Sequence, residues 1–398
     1  MSHRKPLVVL SHLFPSAAQP GAGLFIRERM FRVAQHHPVT VISPQAWFPG
    51  QSVLRAIRPS YRILGSRFER QSDIEVYRPR AFSVPFLGRR HDALSMALSA
   101  LPIIRRLRQQ GRCEFIDAHF AYPDGYAASL LSARLKIPFF VTLRGTESRH
   151  LMVPALRRKI LRCLQDAHRI FTVSESLRQL VLAQGISAEK VEVVGNGVDT
   201  SIFYPSKQED ARIKLNIPLD AKVLITVGAL VERKGFHRVI AQLPRLIRTY
   251  KNLVYLIVGG PSPEGDWSQK LKSQVSELAL ENHVRFLGPL EPSKLRIPLS
   301  AANVSVLASS NEGWANVILE SMACGVPVVA SDVGGNAEVI RDEDIGKTYP
   351  FNNDNALFEI LHASLAKDWD RAKILAYAKE NVWEKRITQL LLAFQLIG

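Results

Sequence analysis

Residues 312–336, EGWANVILESMACGVPVVASDVGGN, carry the pattern that decides the fold. Glu312 stands in a polar loop beside Gly313, and Glu320, eight residues on, falls within a short apolar helical run at about 315–323. Residues 326–330 then read as a buried strand, apolar throughout, and Gly334 and Gly335 form a turn after it. Loop, helix, strand and glycine loop in that order are the architecture of a nucleotide-binding half-site. A carboxylate on a mostly apolar helix needs hydrogen-bond donors, and ribose hydroxyls would serve. Gly313, Trp314 and Ala315 lie at the helix start, where backbone N–H groups point outward and small residues permit close approach.

The same alternation extends through the chain. Strand-like runs fall at 7–10, 39–42, 75–77, 115–118, 139–142, 170–173 and 191–193, then at 223–227, 254–258, 284–286, 304–307 and 326–330. Helical runs separate most of them, among them 26–35, 93–110, 153–167, 236–250, 267–280, 292–300 and 372–397. Apolar strands alternating with helices imply parallel sheets covered on both faces. At 398 residues the chain is too long for one ordinary core. Asn196-Gly197 is a turn signal, and the polar segment 205–220 reads as a linker. The expected organisation is therefore two doubly wound α/β domains, 1–200 and 201–380, with a helix over 381–398 crossing back onto the first.

Charge divides the two halves. Residues 1–200 hold 29 Lys/Arg against 14 Asp/Glu, whereas 201–398 hold 23 against 22. The surplus concentrates at 78–112 (Arg78, Arg80, Arg89, Arg90, Arg105, Arg106, Arg108, Arg112) and at 149–169 (Arg149, Arg157, Arg158, Lys159, Arg162, Arg169). A solvated face, an anionic bilayer, a phosphorylated acceptor or nucleic acid could each answer to it. No DNA- or RNA-binding motif is visible, so nucleic acid ranks below the membrane surface. The longest charge-free apolar run in this half, 93–104, is too short to span a bilayer. The start, MSHRKPLVVLSHLF, has too short an apolar core for a signal peptide and reads as a first strand, which points to the cytosol with possible surface attachment. The three cysteines, Cys113, Cys163 and Cys324, share no metal-like spacing and read as reduced packing residues.

Several segments carry candidate chemistry. In TVGALVERKGF (226–236), Gly228 lets the chain turn after a strand, and Arg233 and Lys234 stand where a helix begins near Gly235. Backbone N–H groups, helix dipole and two cations suit a diphosphate, although the pair taken alone fits a solvated loop equally well. Gly21 and Gly23, in SAAQPGAGLF, form a loop after the first strand that could approach a phosphate or an acceptor, or be a plain turn. His119 ends the strand of DAHF, where ligands lie in doubly wound sheets, though a lone His is often structural. Arg144, Gly145 and Glu147 end the strand of VTLRGTE.

These stretches together resemble the family 4 retaining glycosyltransferases. They are GLFIRERM near 23, DAHFAYPDGYAA at 117, VTLRGTE at 141, TVSESLRQ at 172, GNGVDTSIFYP at 195, VGALVERKGF at 227 and the 312–340 stretch with its E-x7-E spacing. By pattern the chain is similar to bacterial enzymes of teichuronic-acid and exopolysaccharide assembly. The resemblance implies a GT-B fold, two Rossmann-like domains facing across a cleft, and transfer of a sugar from a nucleotide diphosphate sugar, UDP favoured, to a glycan or lipid-pyrophosphate-linked acceptor. It implies that Arg233 and Lys234 neutralise the donor pyrophosphate, Glu312 and the Gly313–Ala315 amides hold the donor sugar, Glu320 holds the ribose, and the Leu290 backbone in FLGPL reads the base. His119 would bond to the donor sugar, Gly21, Gly23 and Gly228 would line the donor, and Arg144 and Glu147 would meet the acceptor. It further implies front-face attack, with the departing phosphate taking the acceptor proton and no metal or other cofactor required. Against this stands a non-catalytic reading, a module of the same shape binding membrane or nucleic acid through its basic first domain.

Overall fold

The computed structural model describes residues 4–57, 62–84, 91–262 and 264–395. Arg89 and Arg90 of the basic stretch lie outside the described residues. The described chain divides into two units: residues up to Asn196 together with those from Arg386 onward, and Gly197–Lys385.

The strands of the first unit are β1 (Leu7–Leu10), β2 (Val39–Ile42), β3 (Gln45–Trp47), β4 (Phe68–Gln71), β5 (Ile74–Tyr77), β6 (Arg80–Phe82), β7 (Phe115–His119), β8 (Phe139–Leu143), β9 (Arg169–Thr172) and β10 (Val191–Val193). Eight of them form one sheet in the order β10-β9-β8-β7-β1-β2-β5-β4, parallel except for β4, and β3 pairs with β6 apart from it. Every residue of β1, β7 and β8 is buried, because helices cover both faces of the sheet. Val8 and Leu10 face a core with Ala93, Ala100 and Ile104 of the helix Asp92–Gln109. Leu7 and Val9 face the opposite core with Ile26, Met30 and Phe394. The chain runs from β1 outward through β2 and returns through β7 on the other side, so the topological switch lies between β1 and β7.

The second unit contains β11 (Lys222–Val227), β12 (Leu253–Val258), β13 (Val284–Gly288), β14 (Val304–Leu307), β15 (Val328–Ser331) and β16 (Gly346–Tyr349), all parallel in the order β13-β12-β11-β14-β15-β16. Val223 and Ile225 of β11 pack into one core, and Leu224 into the other with Val239 and Leu243 of the helix Phe236–Thr249. Here the switch lies between β11 and β14.

Four local expectations need correction. The strand expected at 326–330 starts at Val328, because Pro327 has no N–H for a ladder; its carbonyl instead accepts from Ser305 N at 3.0 Å. The segment 205–220 is more than a linker, since it contains the helix Gln208–Lys214, whose buried Arg212 donates to Ala301 O at 3.2 Å and Asn303 Oδ1 at 2.9 Å. The terminal helix is broken into Arg371–Glu380 and Trp383–Gln395. At the break Val198 N donates to Asn381 O at 3.0 Å, and a Cβ on Gly197 would lie 2.4 Å from Trp383 N, so a backbone strap occupies the place of a helical turn. The antiparallel β4–β5 pair was not anticipated, because its turn uses Ser72 and Asp73 at φ 45° and 67° rather than a glycine.

Candidate functional site

The cations of the second unit sit on the loop that leaves β11. A short 3-10 turn, Glu232–Lys234, carries Arg233 and Lys234, and Gly235 at φ 72° starts the helix Phe236–Thr249. A Cβ on Gly235 would stand 1.9 Å from the Ala308 carbonyl oxygen, so only glycine lets this loop press against the one leaving β14. From the other side, Gly334 at φ 55° approaches so closely that its Cβ would lie 1.7 Å from the Glu312 carbonyl oxygen. The two glycines hold the loop bearing Glu312 between the neighbouring loops.

Lys234 Nζ donates to Glu312 Oε1 at 2.6 Å, and Arg233 Nη1 lies 3.5 Å from the same oxygen. Arg233 Nη1 also donates to Asn311 O at 2.9 Å, while its Nε and Nη2 make a fork on Glu264, each at 2.9 Å. Burial acts to lower the Arg233 pKa, but the Glu264 bonds and the Glu312 charge outweigh it and raise it. Two cations and two carboxylates thus meet at the switch between β11 and β14, and both cations keep partial solvent access. Gly228 lies beneath the Lys234 chain, where a Cβ would be 3.6 Å from Lys234 Cδ.

The remaining second-unit candidates lie on the segments that follow β14 and β13. Gly313, Trp314 and Ala315 lead into the helix Asn316–Ala323, with Ala315 as its cap, and the Trp314 indole nitrogen is buried with no hydrogen-bond partner. Glu320 is half-buried on that helix. Leu290 follows β13, two strands from β11, half-buried over the core below.

In the first unit the candidates are mostly internal. His119, the last residue of β7, is fully buried, and its Nδ1 accepts from Arg144 Nε at 3.2 Å and Nη2 at 3.0 Å. Since a guanidinium only donates, the imidazole proton resides on Nε2, 3.6 Å from Asp117 Oδ2. Burial, then the charges of Arg144 and Arg29, push the His119 pKa well below its ordinary value and keep it neutral. Burial likewise raises the Asp117 carboxyl to about 7 against the pull of Arg29 and Arg144. Arg144 Nη1 donates to Asn196 Oδ1 at 3.2 Å, and its guanidinium lies 4.8 Å from the centre of the Phe25 ring.

Glu147 is buried, and its oxygens accept from the N–H groups of Ala121 at 3.0 Å, Arg144 at 3.2 Å and Gly145 at 2.8 Å. This residue, expected to meet an acceptor, is buried here and ties the turns after β7 and β8 together. The two expected loop glycines differ as well. Gly23, at φ 71°, caps the helix Leu24–Val33 where a Cβ would lie 2.4 Å from Leu13 O, whereas Gly21 is exposed with open space around it.

Other residues at this edge were not singled out from the sequence. Arg29 is fully buried and donates through Nη2 to Val194 O at 2.7 Å, Gly195 O at 3.1 Å and Asn196 Oδ1 at 3.2 Å, with burial lowering its pKa to about 10. His12 follows β1 and bonds to Asp124 of the turn after β7. His12 could have been found by the rule applied to His119, since both stand at the C-terminal end of an apolar strand. Arg78, counted among surface cations, is fully buried and bonds to Glu69 at 2.8 Å. Among the described residues no group of three or more His, Cys, Asp or Glu side chains could hold a metal ion, and no helix is long and apolar enough to cross a membrane.

Two family models match in tandem: Glycosyltransferase Family 4 over residues 21–202 and Glycosyl transferases group 1 over residues 207–382. A D-inositol 3-phosphate glycosyltransferase from Corynebacterium urealyticum is 32% identical over 329 residues, 77% of each chain. The chain belongs to the family 4 glycosyltransferases. A putative teichuronic acid biosynthesis glycosyltransferase, TuaC from Bacillus subtilis, is 28% identical over 82% of this chain and 80% of its own. Among solved structures, a sucrose-phosphate synthase from Thermosynechococcus elongatus superposes with a TM-score of 0.77 at 21% identity, covering 98% of both chains. HepE from Anabaena in complex with UDP-glucose gives 0.74 at 18% identity, covering 99% of this chain and 100% of that one. These likenesses fix the fold as GT-B, with two Rossmann-like units. In this family 4 glycosyltransferase the E-x7-E stretch is thus the loop, helix and strand around β14 and β15.

Proposed function

We propose that this glycosyltransferase moves a hexosyl or N-acetylhexosaminyl group, with retention, from a nucleotide diphosphate sugar to a glycan or lipid-pyrophosphate-linked acceptor of cell-surface polysaccharide. The observation that carries the reading is the Arg233–Lys234–Glu312 cluster at the switch point of the second sheet. Bond cleavage at the sugar develops negative charge on the leaving diphosphate. Arg233 and Lys234 stabilise that charge, and need no metal to do so. Glu312 and the amides of Gly313–Ala315 hold the sugar, Glu320 the ribose and the Leu290 backbone the base. Complexes of HepE with UDP and UDP-glucose favour UDP, and the putative place of TuaC in teichuronic acid biosynthesis favours a cell-surface acceptor.

Attachment to the inner face of the cell membrane accompanies this reading. Exposed Met152 and Val153 precede the helix Pro154–Asp166, which turns Arg157, Arg158 and Arg162 outward. Apolar side chains beside exposed arginines suit an anionic bilayer, with each cation near the surface contributing about 1 kcal/mol.

The test is a panel of UDP-, GDP- and ADP-sugars, read first by thermal shift and then by transfer to lipid-linked acceptors. A UDP-sugar should raise the unfolding midpoint and support transfer. No stabilisation and no transfer with any donor would remove the proposal.

A further inference from the structure

The loop that carries Glu312 is gripped at both ends by the turn that leaves β15. Ser331, the last residue of β15, is fully buried, and its hydroxyl donates to Ser309 O at 2.6 Å. Further along the turn, Gly334 presses against the Glu312 carbonyl, where a Cβ would lie 1.7 Å from the oxygen. The segment Ser309–Glu312 thus has its start and its end fixed to one neighbouring turn. A side chain closes that turn in its own right. Asn336 is fully buried, and its Nδ2 donates to Ser331 O at 3.1 Å across the Gly334–Gly335 corner. Val333 N donates to the same carbonyl at 2.9 Å, so Ser331 is held in register with the corner. On its other side the segment is tied to the β11 loop, since Ser310 N donates to Arg233 O at 2.8 Å and Arg233 Nη1 to Asn311 O at 2.9 Å.

We propose that Ser331 and Asn336 are positioning residues for Glu312, holding its loop where the carboxylate meets Lys234 and the donor sugar. A loop beyond the end of a strand has no ladder to fix it, so ordering it falls to side chains and close packing. Both bonds described here end on backbone carbonyls, and a buried carbonyl stripped of its donor keeps its desolvation cost. The Ser331 bond therefore resists drift of Ser309, and the Asn336 bond resists opening of the corner that bears Gly334. Neither bond serves the element its residue belongs to. The Ser331 hydroxyl crosses from β15 to the segment after β14, and Asn336 reaches back to β15 although it begins the four-residue helix Asn336–Val339. A contact as short as Lys234 Nζ to Glu312 Oε1, at 2.6 Å, requires a carboxylate set to within about 0.5 Å. Elsewhere in the same unit, Ser321 Oγ donates to Ser305 Oγ at 2.9 Å, joining the helix Asn316–Ala323 to β14. That pair is equally buried and supplies an internal comparison, because it bonds to neither loop.

The inference rests on the reading of Glu312 as a donor-sugar group, so the first arm of its test needs no substrate. Competitive labelling of Lys234 by acetic anhydride in the full-length protein, read by mass spectrometry, reports its contact with Glu312. An ammonium held by a carboxylate keeps its proton and reacts slowly. In Ser331→Ala and in Asn336→Ala, labelling of Lys234 should rise by about threefold or more. Ser305→Ala breaks a buried hydroxyl bond away from this loop and should lower the unfolding midpoint with Lys234 labelling unchanged. The second arm sets transfer against nucleotide binding, using the UDP-sugar that the parent turns over. For that donor kcat/KM should fall by about 10-fold or more in both loop variants, while UDP, which lacks the sugar, should bind within about twofold of the parent. Circular dichroism confirms folding, and if Ser331→Ala does not fold, Asn336→Ala decides both arms. Unchanged Lys234 labelling in a folded loop variant would overturn the proposal, as would losses of transfer and of UDP affinity in equal proportion. A parent that transfers no sugar would remove the donor reading, and the labelling arm would still decide whether the two residues set the position of Glu312.

Discussion

The two sheets end in contrasting ways. At the C-terminal edge of the second, charges are joined side chain to side chain with graded access to water: Glu264 is exposed, Arg233 and Lys234 are partly so, and Glu312 is buried. At the same edge of the first, Arg29, Asp117, His119, Arg144 and Glu147 are all buried and bonded largely to one another or to backbone. The Arg233–Glu264 pair keeps solvent access on both sides, and such pairs exchange partners at little cost, about 0–1 kcal/mol, so a diphosphate can replace that carboxylate. A buried charged network cannot, since loss of one member leaves another desolvated and unpaired. At the second edge the outermost cation can change partner, whereas the first edge is a buried network beside which His12 is exposed.

The largest expected effect tests the exchangeable edge. Arg233→Ala with Lys234→Ala should reduce transfer by about 1000-fold or more, with circular dichroism confirming that the variant is folded. Unchanged turnover in initial-rate assays would break the comparison at its functional end. The buried network should respond in stability. Arg29→Ala removes the donor to two carbonyls and Asn196 and should cost about 3–5 kcal/mol in denaturant titrations, visible even without substrate.

Smaller effects sharpen the contrast. Gly23→Ala should destabilise by about 1–3 kcal/mol through its φ and its clash with Leu13, whereas Gly21→Ala should be neutral within about 0.5 kcal/mol. Asp117 gives the buried network a pH signature. Its folded pKa of about 7 lies above the ordinary 3.8, so its contribution is fully present below 3.8 and is lost as pH rises through about 7. Denaturation midpoints at pH 5 and pH 8 should therefore differ more in the parent than in Asp117→Asn. The smallest effect belongs to Glu264, which is 44% exposed at its side chain. Glu264→Gln should free the Arg233 fork and tighten UDP binding by about twofold to fivefold in calorimetry.

Where the sequence was informative, it was so for physical reasons. A strand buried on both faces, such as Leu7–Leu10, carries apolar side chains throughout, so its pattern is plain in the sequence. Gly228 and Gly235 stand on either side of Arg233 and Lys234, so that loop could be read from four residues. At Glu147 nothing in the sequence reveals that three backbone amides converge on its carboxylate. Arg78 looked like a surface cation, yet its partner Glu69 sits on β4, an edge strand whose turn lacks glycine. His12 and Asp124 are 112 residues apart and meet only because β1 and β7 are neighbours.

Phe394 has a consequence for the order in which this protein can be made. Its ring lies 5.1 Å from Phe115, 5.3 Å from Phe140 and 6.2 Å from Phe171, inside the first unit's own core. That position is translated only after the entire second unit. At ordinary elongation speeds the first sheet waits on the order of ten to forty seconds for its last aromatic ring. During synthesis the earlier half is therefore the later one to close, and an apolar hollow beside β7 and β8 stands open to chaperones until the final helix arrives.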